Sequence, residues 1–356
     1  MAIDDAGQSR RRVLVGLAAA VAVSACGRRV MSGEEDYVSI VWAPGDIGVT
    51  PDLRRVALTY WGRDFSAIGV CDLQAGSVEV LQAGRKAGLG MPALSPDGET
   101  IAFTAQPMDP KLNGLTSLRL APTRGGDARR IGARAKYAAP SFSPDGGRIL
   151  VFAGDKVLGP VQLVEIDLAS GAERVVWSGA FEGAHKAVYD PTGSGYWVGG
   201  MGPAASLEEA TMLNTSAYDR KYGSTRIFHI PREGEAPRPF AVNLGRDWGL
   251  VGVTNDEVVL GTVALETGSR AALMNRQGEA RLLWRSPRGG ELPHGWAVSA
   301  DAKRVLTVRI HEDDAGNFLD RYDIAVFETG SGESGRVLSQ VLSSDLRATN
   351  HDLKLA

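Results

Sequence analysis

Leu94-Ser95-Pro96-Asp97-Gly98 stands just before Ile101-Ala102-Phe103-Thr104, and Phe142-Ser143-Pro144-Asp145-Gly146 stands just before Ile149-Leu150-Val151-Phe152. In each, Pro presets φ for the first central turn position, Asp folds its carboxylate back onto the backbone, and Gly supplies the positive φ that reverses the chain. Weaker copies are Thr50-Pro51-Asp52, Asp190-Pro191-Thr192-Gly193, Thr254-Asn255-Asp256 and Ser299-Ala300-Asp301, each followed by a β-rich run. With Asp52, Asp97, Asp145, Thr192, Asp256 and Asp301 as a ruler, the intervals are 45, 48, 47, 64 and 45 residues.

A second hairpin follows the first in every unit. Ile68 to Leu73, the turn Gln74-Ala75-Gly76, and Val78 to Leu81 form one example; Leu163 to Leu168, Ala169-Ser170-Gly171, and Arg174 to Trp177 form another. Alternating apolar residues around a short Gly turn mark hairpins. Two hairpins per unit, repeated six times, predict an all-β, six-bladed β-propeller of four-stranded blades over residues 38–342. Such a ring protects sheet edges that would otherwise invite aggregation. The strand Val38-Ser39-Ile40-Val41-Trp42 has two readings, as a closing strand of the last blade or as part of the first. Residues 343–356 read as a C-terminal tail.

The Ser-Pro-Asp-Gly turns, the unit length and the count of six resemble the TolB-type propeller repeat of bacterial envelope proteins. The resemblance covers about residues 38–342 and implies the fold more than the function, because this repeat also occurs in scaffolds and in the non-catalytic domains of peptidases. TolB carries an α/β domain before its propeller, and too few residues lie between Cys26 and the first blade to hold one. The resemblance therefore extends to the repeat and not to the TolB role.

Ser9-Arg10-Arg11-Arg12 precedes the uncharged run 13–25, which ends Val23-Ser24-Ala25 before Cys26. A basic region, a short apolar region and small residues before a cleavage point read as a secretory signal over 1–25. The run is too short for a transmembrane helix. Val-Ser-Ala-Cys resembles a bacterial lipobox, which implies that Cys26 becomes the lipidated first residue, with 26–37 as a polar tether. Ser9, Arg10, Arg11 and Leu14 also resemble a twin-arginine export signal, although Val13 and Val15 stand where that pattern has Phe and Lys. An ordinary basic n-region is the alternative, so the export route stays open. The address is thus a lipid anchor in the cell membrane or outer membrane, with the propeller in the periplasm or extracellular space.

The net charge of −3 becomes about −4 once Arg10, Arg11 and Arg12 leave together with Asp4 and Asp5. No clustered basic face points to nucleic acid. After Cys26 only Cys71 remains, so no internal disulfide forms, and its place in an alternating strand reads as a buried inert thiol.

Residues just before each turn face the shared channel of a propeller. His185 lies six before Pro191 and His294 six before Ala300, at one repeat position in blades four and six. Tyr137 and Trp248 share the neighbouring position, seven before. Asp46 lies five before Pro51, and Lys186 sits beside His185. These six residues form a candidate pocket at the channel mouth for a polar small molecule or peptide. Wall-filling side chains are the plainer reading. No cofactor and no metal site is expected. The 64-residue interval marks an insertion in blade four, where Ser206 and Glu209 fit a capping box. His311 to Asp320 is an acidic loop without the spacing of a calcium loop.

No Gly-x-Ser-x-Gly, phosphate-binding glycine loop or His-Glu-x-x-His occurs. The pattern favours a monomeric binding or scaffold module for envelope proteins, peptides or glycans over an enzyme. The alternative is a lyase or hydrolase on a sugar or lactone that uses His185 and His294.

Overall fold

A computed structural model describes residues 38–40, 47–62, 66–83, 87–107, 115–157, 159–206, 208–209, 227–232, 234–240, 248–254, 256–262, 270–285, 295–312, 318–329, 337–342 and 347–355. Among them the chain forms antiparallel units in sequence order. The first has β1 (Val38–Ile40) and β2 (Ile47–Val49) end to end along β3 (Arg55–Gly62), then β4 (Ser66–Asp72) and β5 (Ser77–Gln82). The second is β6 (Ala87–Leu94), β7 (Thr100–Pro107), β8 (Ser117–Pro122) and β9 (Gly126–Ile131). The third is β10 (Lys136–Phe142), β11 (Arg148–Gly154), β12 (Gln162–Asp167) and β13 (Glu173–Val175). The fourth is β14 (Ala180–Tyr189), β15 (Gly195–Ala204), β16 (Ile227–Pro231) and β17 (Arg238–Pro239). The fifth is β18 (Trp248–Val253), β19 (Glu257–Thr262), β20 (Arg270–Asn275) and β21 (Ala280–Arg285). The sixth is β22 (Gly295–Val298), β23 (Arg304–Glu312), β24 (Phe318–Glu328) and β25 (Val337–Leu342), after which comes β26 (Arg347–Leu355). Units three to six are separate four-stranded sheets, whereas β26 joins the first two into one ten-stranded sheet. The result is an all-β, propeller-like arrangement of small sheets.

The repeated turns form as their chemistry requires. Ser95 Oγ donates to Asp97 Oδ1 at 2.5 Å, and the same carboxylate oxygen accepts the Glu99 N–H at 3.0 Å. Ser143 with Asp145, Thr50 with Asp52 and Ser299 with Asp301 repeat the bond at 2.5, 2.7 and 2.6 Å. The fourth turn residue is left-handed in each, at φ 73° for Gly98 and Gly146, yet Leu53 and Ala302 take φ 57° and 56° at the same place. Here the turn's hydrogen bonds outweigh the modest cost of a left-handed L-residue.

Strands are apolar on both faces because each sheet is covered on both sides. Along β11, Ile149 and Val151 pack toward the second unit, while Leu150 and Phe152 pack toward the fourth. The sequence of such clusters continues until Leu306, Val308 and Ile324 of the sixth unit meet Val56 and Leu58 of the first. Cys71 is fully buried there, its Sγ 3.9 Å from the Tyr322 hydroxyl.

Two features settle or change the reading of the chain ends. The strand at residue 38 lies in the first unit, with Val38 opposite Gly62 and Ile40 opposite Tyr60. The stretch read as a tail is instead a strand over 347–355. β26 runs parallel to β5 from Arg347 to Asp352 and then parallel to β9 from Leu353 to Leu355. His351 reaches Glu79 at 2.5 Å, and Leu353 is buried in the cluster between the first two units. Deleting 347–355 removes the burial of Leu353, worth about 2 kcal/mol, and opens the edges of β5 and β9. The expected outcome is a lower Tm with concentration-dependent self-association by light scattering. An unchanged Tm and a monodisperse truncated chain would show that β26 does not staple these sheets.

Candidate functional site

The innermost strands share an irregularity. The register slips between Gly90 and Ala93, between Ala138 and Ser141, between Ala184 and Lys186, and between Leu250 and Gly252. Bulges of this kind bend a strand and redirect side chains. Met91 and Ala139, each five before its turn Pro, adopt φ 48° and 50°, and the Ala139 N–H donates to Met91 Sδ at 3.2 Å. In the fourth unit the bulged residue is His185 itself, and its side chain is exposed.

Lys186 follows it, opposite Gly199. Val188, two residues on, packs against the cluster that holds Leu250 of the fifth unit. The two-residue period of a strand puts Lys186 on that same face. Lys186 is half-buried, and among the described residues it makes no hydrogen bond or ion pair. Burial disfavours its ammonium and pushes the amine down to about 8.

The structure thus brings His185 and Lys186 together on one bulge. Tyr137 is elsewhere. It is 1% exposed and packs in the core between the second and third units. Its hydroxyl donates to Glu173 Oε1 at 2.7 Å and accepts the Arg134 N–H at 3.0 Å. Burial, reinforced by Glu173, pushes this phenol up to about 12. Gly132 makes room for it, since a Cβ there would lie 2.0 Å from the Tyr137 hydroxyl. Tyr137 is therefore a core and latch residue and not part of an open mouth. Trp248 begins β18 opposite Thr262, and its side chain is not among those described. His294, Asp46, Cys26, Arg10 and Arg11 lie outside the described residues.

The insertion in the fourth unit begins with the expected Ser206 cap, while the return bond of the box falls one residue earlier, on Ala205. Ser206 Oγ accepts the Glu209 N–H at 3.1 Å, and the Glu209 carboxylate accepts the Ala205 N–H at 2.8 Å. Residues 210–226 and 313–317, the cores of the inserted loop and of the acidic loop, fall outside the described residues. Among the described residues no three His, Cys, Asp or Glu come together as metal ligands, and no helix is long and apolar enough to cross a membrane.

A charged centre that the sequence reading passed over lies at the fourth turn. There the usual roles are exchanged: Asp190 stands where other copies have Ser or Thr, and Thr192 stands where they have Asp. The Asp190 side chain is fully buried. Its oxygens accept from the Thr192 N–H and hydroxyl at 2.9 and 2.7 Å, Ser194 Oγ at 2.9 Å and Trp197 Nε1 at 2.9 Å. Arg276, in the turn between β20 and β21, donates Nη2 to both oxygens at 3.0 and 2.8 Å. Burial alone would raise this carboxyl, but the donors from Thr192, Trp197 and Ser194 hold it at about 2. His229 Nε2 lies 3.7 Å from Asp190, and its ring centroid is 4.9 Å from that of Trp197. Burial lowers the pKa of His229, with Arg276 and Arg238 adding to the effect against the pull of Asp190. The one sequence signal for this centre was the Asp-Pro-Thr-Gly variant of the turn.

No protein-family model matches the chain, and no curated protein matches it in sequence. Solved structures match in shape. TolB from Acinetobacter baumannii is 14% identical, with 96% of this chain and 74% of that chain covered and a TM-score of 0.52. Hydrazine synthase from Kuenenia stuttgartiensis is 15% identical over 85% of this chain and 99% of that chain, with a TM-score of 0.50. Oligogalacturonate lyase from Vibrio parahaemolyticus is 11% identical over 87% of this chain and 80% of that chain, also with a TM-score of 0.50. Shape shared across such different activities establishes the propeller-like fold and leaves function to the side chains.

Proposed function

We propose that the chain is a lipid-anchored, extracytoplasmic, six-bladed propeller that serves as a binding or scaffold module of the bacterial envelope. Its channel mouth takes an acidic group of an envelope protein, peptide or glycan. The apolar seams between successive units, including the last with the first, support the six-fold ring. The likeness to TolB in fold and the signal-like stretch 1–25 before Cys26 support the setting. The observation that carries the reading is Lys186, an enclosed amine next to the His185 bulge, on the face toward the fifth unit, without a polar partner among the described residues. A carboxylate brought to it supplies the missing counter-charge. A charged hydrogen bond of this kind contributes about 1.5–3 kcal/mol.

Equilibrium titration of the full chain with peptides bearing a free or an amidated C-terminus, and with neutral or uronic-acid oligosaccharides, tests this. Acidic ligands are expected to bind, and Lys186→Met to weaken them about tenfold or more. Equal affinity in the variant would overturn the assignment.

One observation favours a second reading as an enzyme. An amine lowered to about 8 is partly neutral near pH 7.5 and can act as a base beside His185. Turnover of a sugar or lactone would then rise through about pH 8 as the amine deprotonates, and Lys186→Met would abolish that rise.

A further inference from the structure

Between the fourth and fifth units lies a cavity of about 200 Å³, lined by Trp197, His229, Arg238, Pro239, Phe240 and Arg276. Among the described residues its lining holds one imidazole, two guanidinium groups and no carboxylate. Asp190 lies beneath it, but both of its oxygens are already taken by Thr192, Ser194, Trp197 and Arg276. That carboxylate orients Arg276 and offers the cavity nothing further.

Arg276 is held in one orientation. Its Nη2 is committed to Asp190, and its guanidinium carbon sits 6.0 Å from the Trp197 ring centroid. Its Nε and Nη1 bond to no other described residue. The side chain is 36% exposed, so these donors remain within reach of a ligand. Arg238, on the outermost strand of the fourth unit, is anchored by Glu235 three residues before it. His229 lies opposite Arg238 in the ladder and packs against Trp197 with the ring planes tilted by 53°. Phe240 meets Trp197 edge-on at 5.0 Å, and with Pro239 it supplies an apolar side.

We infer that this seam is a second binding site, for the oxyanion of a small acidic ligand whose uncharged body rests on Phe240 and Pro239. A planar guanidinium fixed in advance suits two-point recognition of carboxylate or phosphate. The cavity falls below the ~300 Å³ of ordinary small-molecule pockets, so it suits a single acidic sugar or phosphate ester and not a polymer.

The test is calorimetric titration of the full chain with glucuronate, glucose 6-phosphate and glucose. At least one of the two anions is expected to bind and glucose is not; the tighter anion identifies carboxylate or phosphate as the natural group. Arg238→Gln, at an exposed position, is expected to weaken the anion about tenfold with Tm unchanged. Arg276→Lys keeps the charge beside Asp190 but loses the fork, and is expected to weaken it similarly. If that variant fails to fold, Arg238→Gln decides. Lys186→Met is the contrast: a loss confined to Arg238→Gln and Arg276→Lys places the anion in this cavity, whereas a loss confined to Lys186→Met places it at that amine and overturns the inference. Absence of anion binding, equal binding of glucose, or full affinity in Arg238→Gln would overturn the inference.

Discussion

Asp190→Ala is expected to cost about 3 kcal/mol of stability, because it takes the acceptor from the buried Trp197 N–H and the counter-charge from the partly exposed Arg276. Asp190 is the hub of five donors from four residues, and one of those residues, Arg276, comes from the neighbouring unit. The Ala variant leaves the Trp197 N–H buried without an acceptor and Arg276 without its counter-ion. A lost acceptor for a buried donor alone costs about 1–3 kcal/mol. Urea unfolding should show a lower midpoint at an unchanged slope; a midpoint within error of the parent would show that the centre is dispensable.

The same carboxylate sets a pH dependence. Its folded pKa, about 2, lies below the ordinary 3.8. A depressed carboxylate adds stability above its unfolded pKa and loses it as the pH falls through the folded one. The window is therefore about pH 4 down to pH 2, and the contribution is about 2 kcal/mol. Asp190→Asn abolishes this contribution, so the stability gap between parent and Asn variant should narrow from pH 5 to pH 2.

Phe181→Ala is expected to cost about 3–5 kcal/mol, the usual loss for a large-to-small change at a packed aromatic. Phe181 is 0% exposed in the seam between the third and fourth units. Its ring meets Phe152 edge-on with centroids 5.6 Å apart and Trp177 at 5.5 Å. Its backbone exchanges hydrogen bonds of 2.7 and 2.9 Å with Val161, so the main chain is pinned and cannot collapse into the void. Phe181→Leu should recover part of the loss by refilling volume. Equal midpoints for Ala and Leu would show that the seam relaxes around the cavity.

Much of this architecture was legible in the chain. The Ser-Pro-Asp-Gly turns encode their own hydrogen bonds within five residues, and the structure builds Ser95 to Asp97 and Ser143 to Asp145 as that chemistry requires. The capping box at Ser206 and Glu209 is local in the same way. Counting from the turn also put His185 and Lys186 on the first strand of the fourth unit, where the structure has a bulge at His185. It failed for Tyr137, because sheets packed on both faces bury alternate residues equally. A two-residue period then cannot tell a seam from a channel wall. It failed for 347–355 as well: the strand is polar and mostly exposed, and it is ordered by two edges that belong to different sheets.

By itself the sequence determined the repeat, the turns and the succession of hairpins, because each depends on neighbours a few residues away. Only the tertiary structure decided which side chains meet across seams. Arg276 reaches Asp190 from 86 residues away, and His351 reaches Glu79 from 272. Such pairs depend on how one sheet is set against another. That setting comes from many apolar contacts summed over whole faces, so no short motif records it.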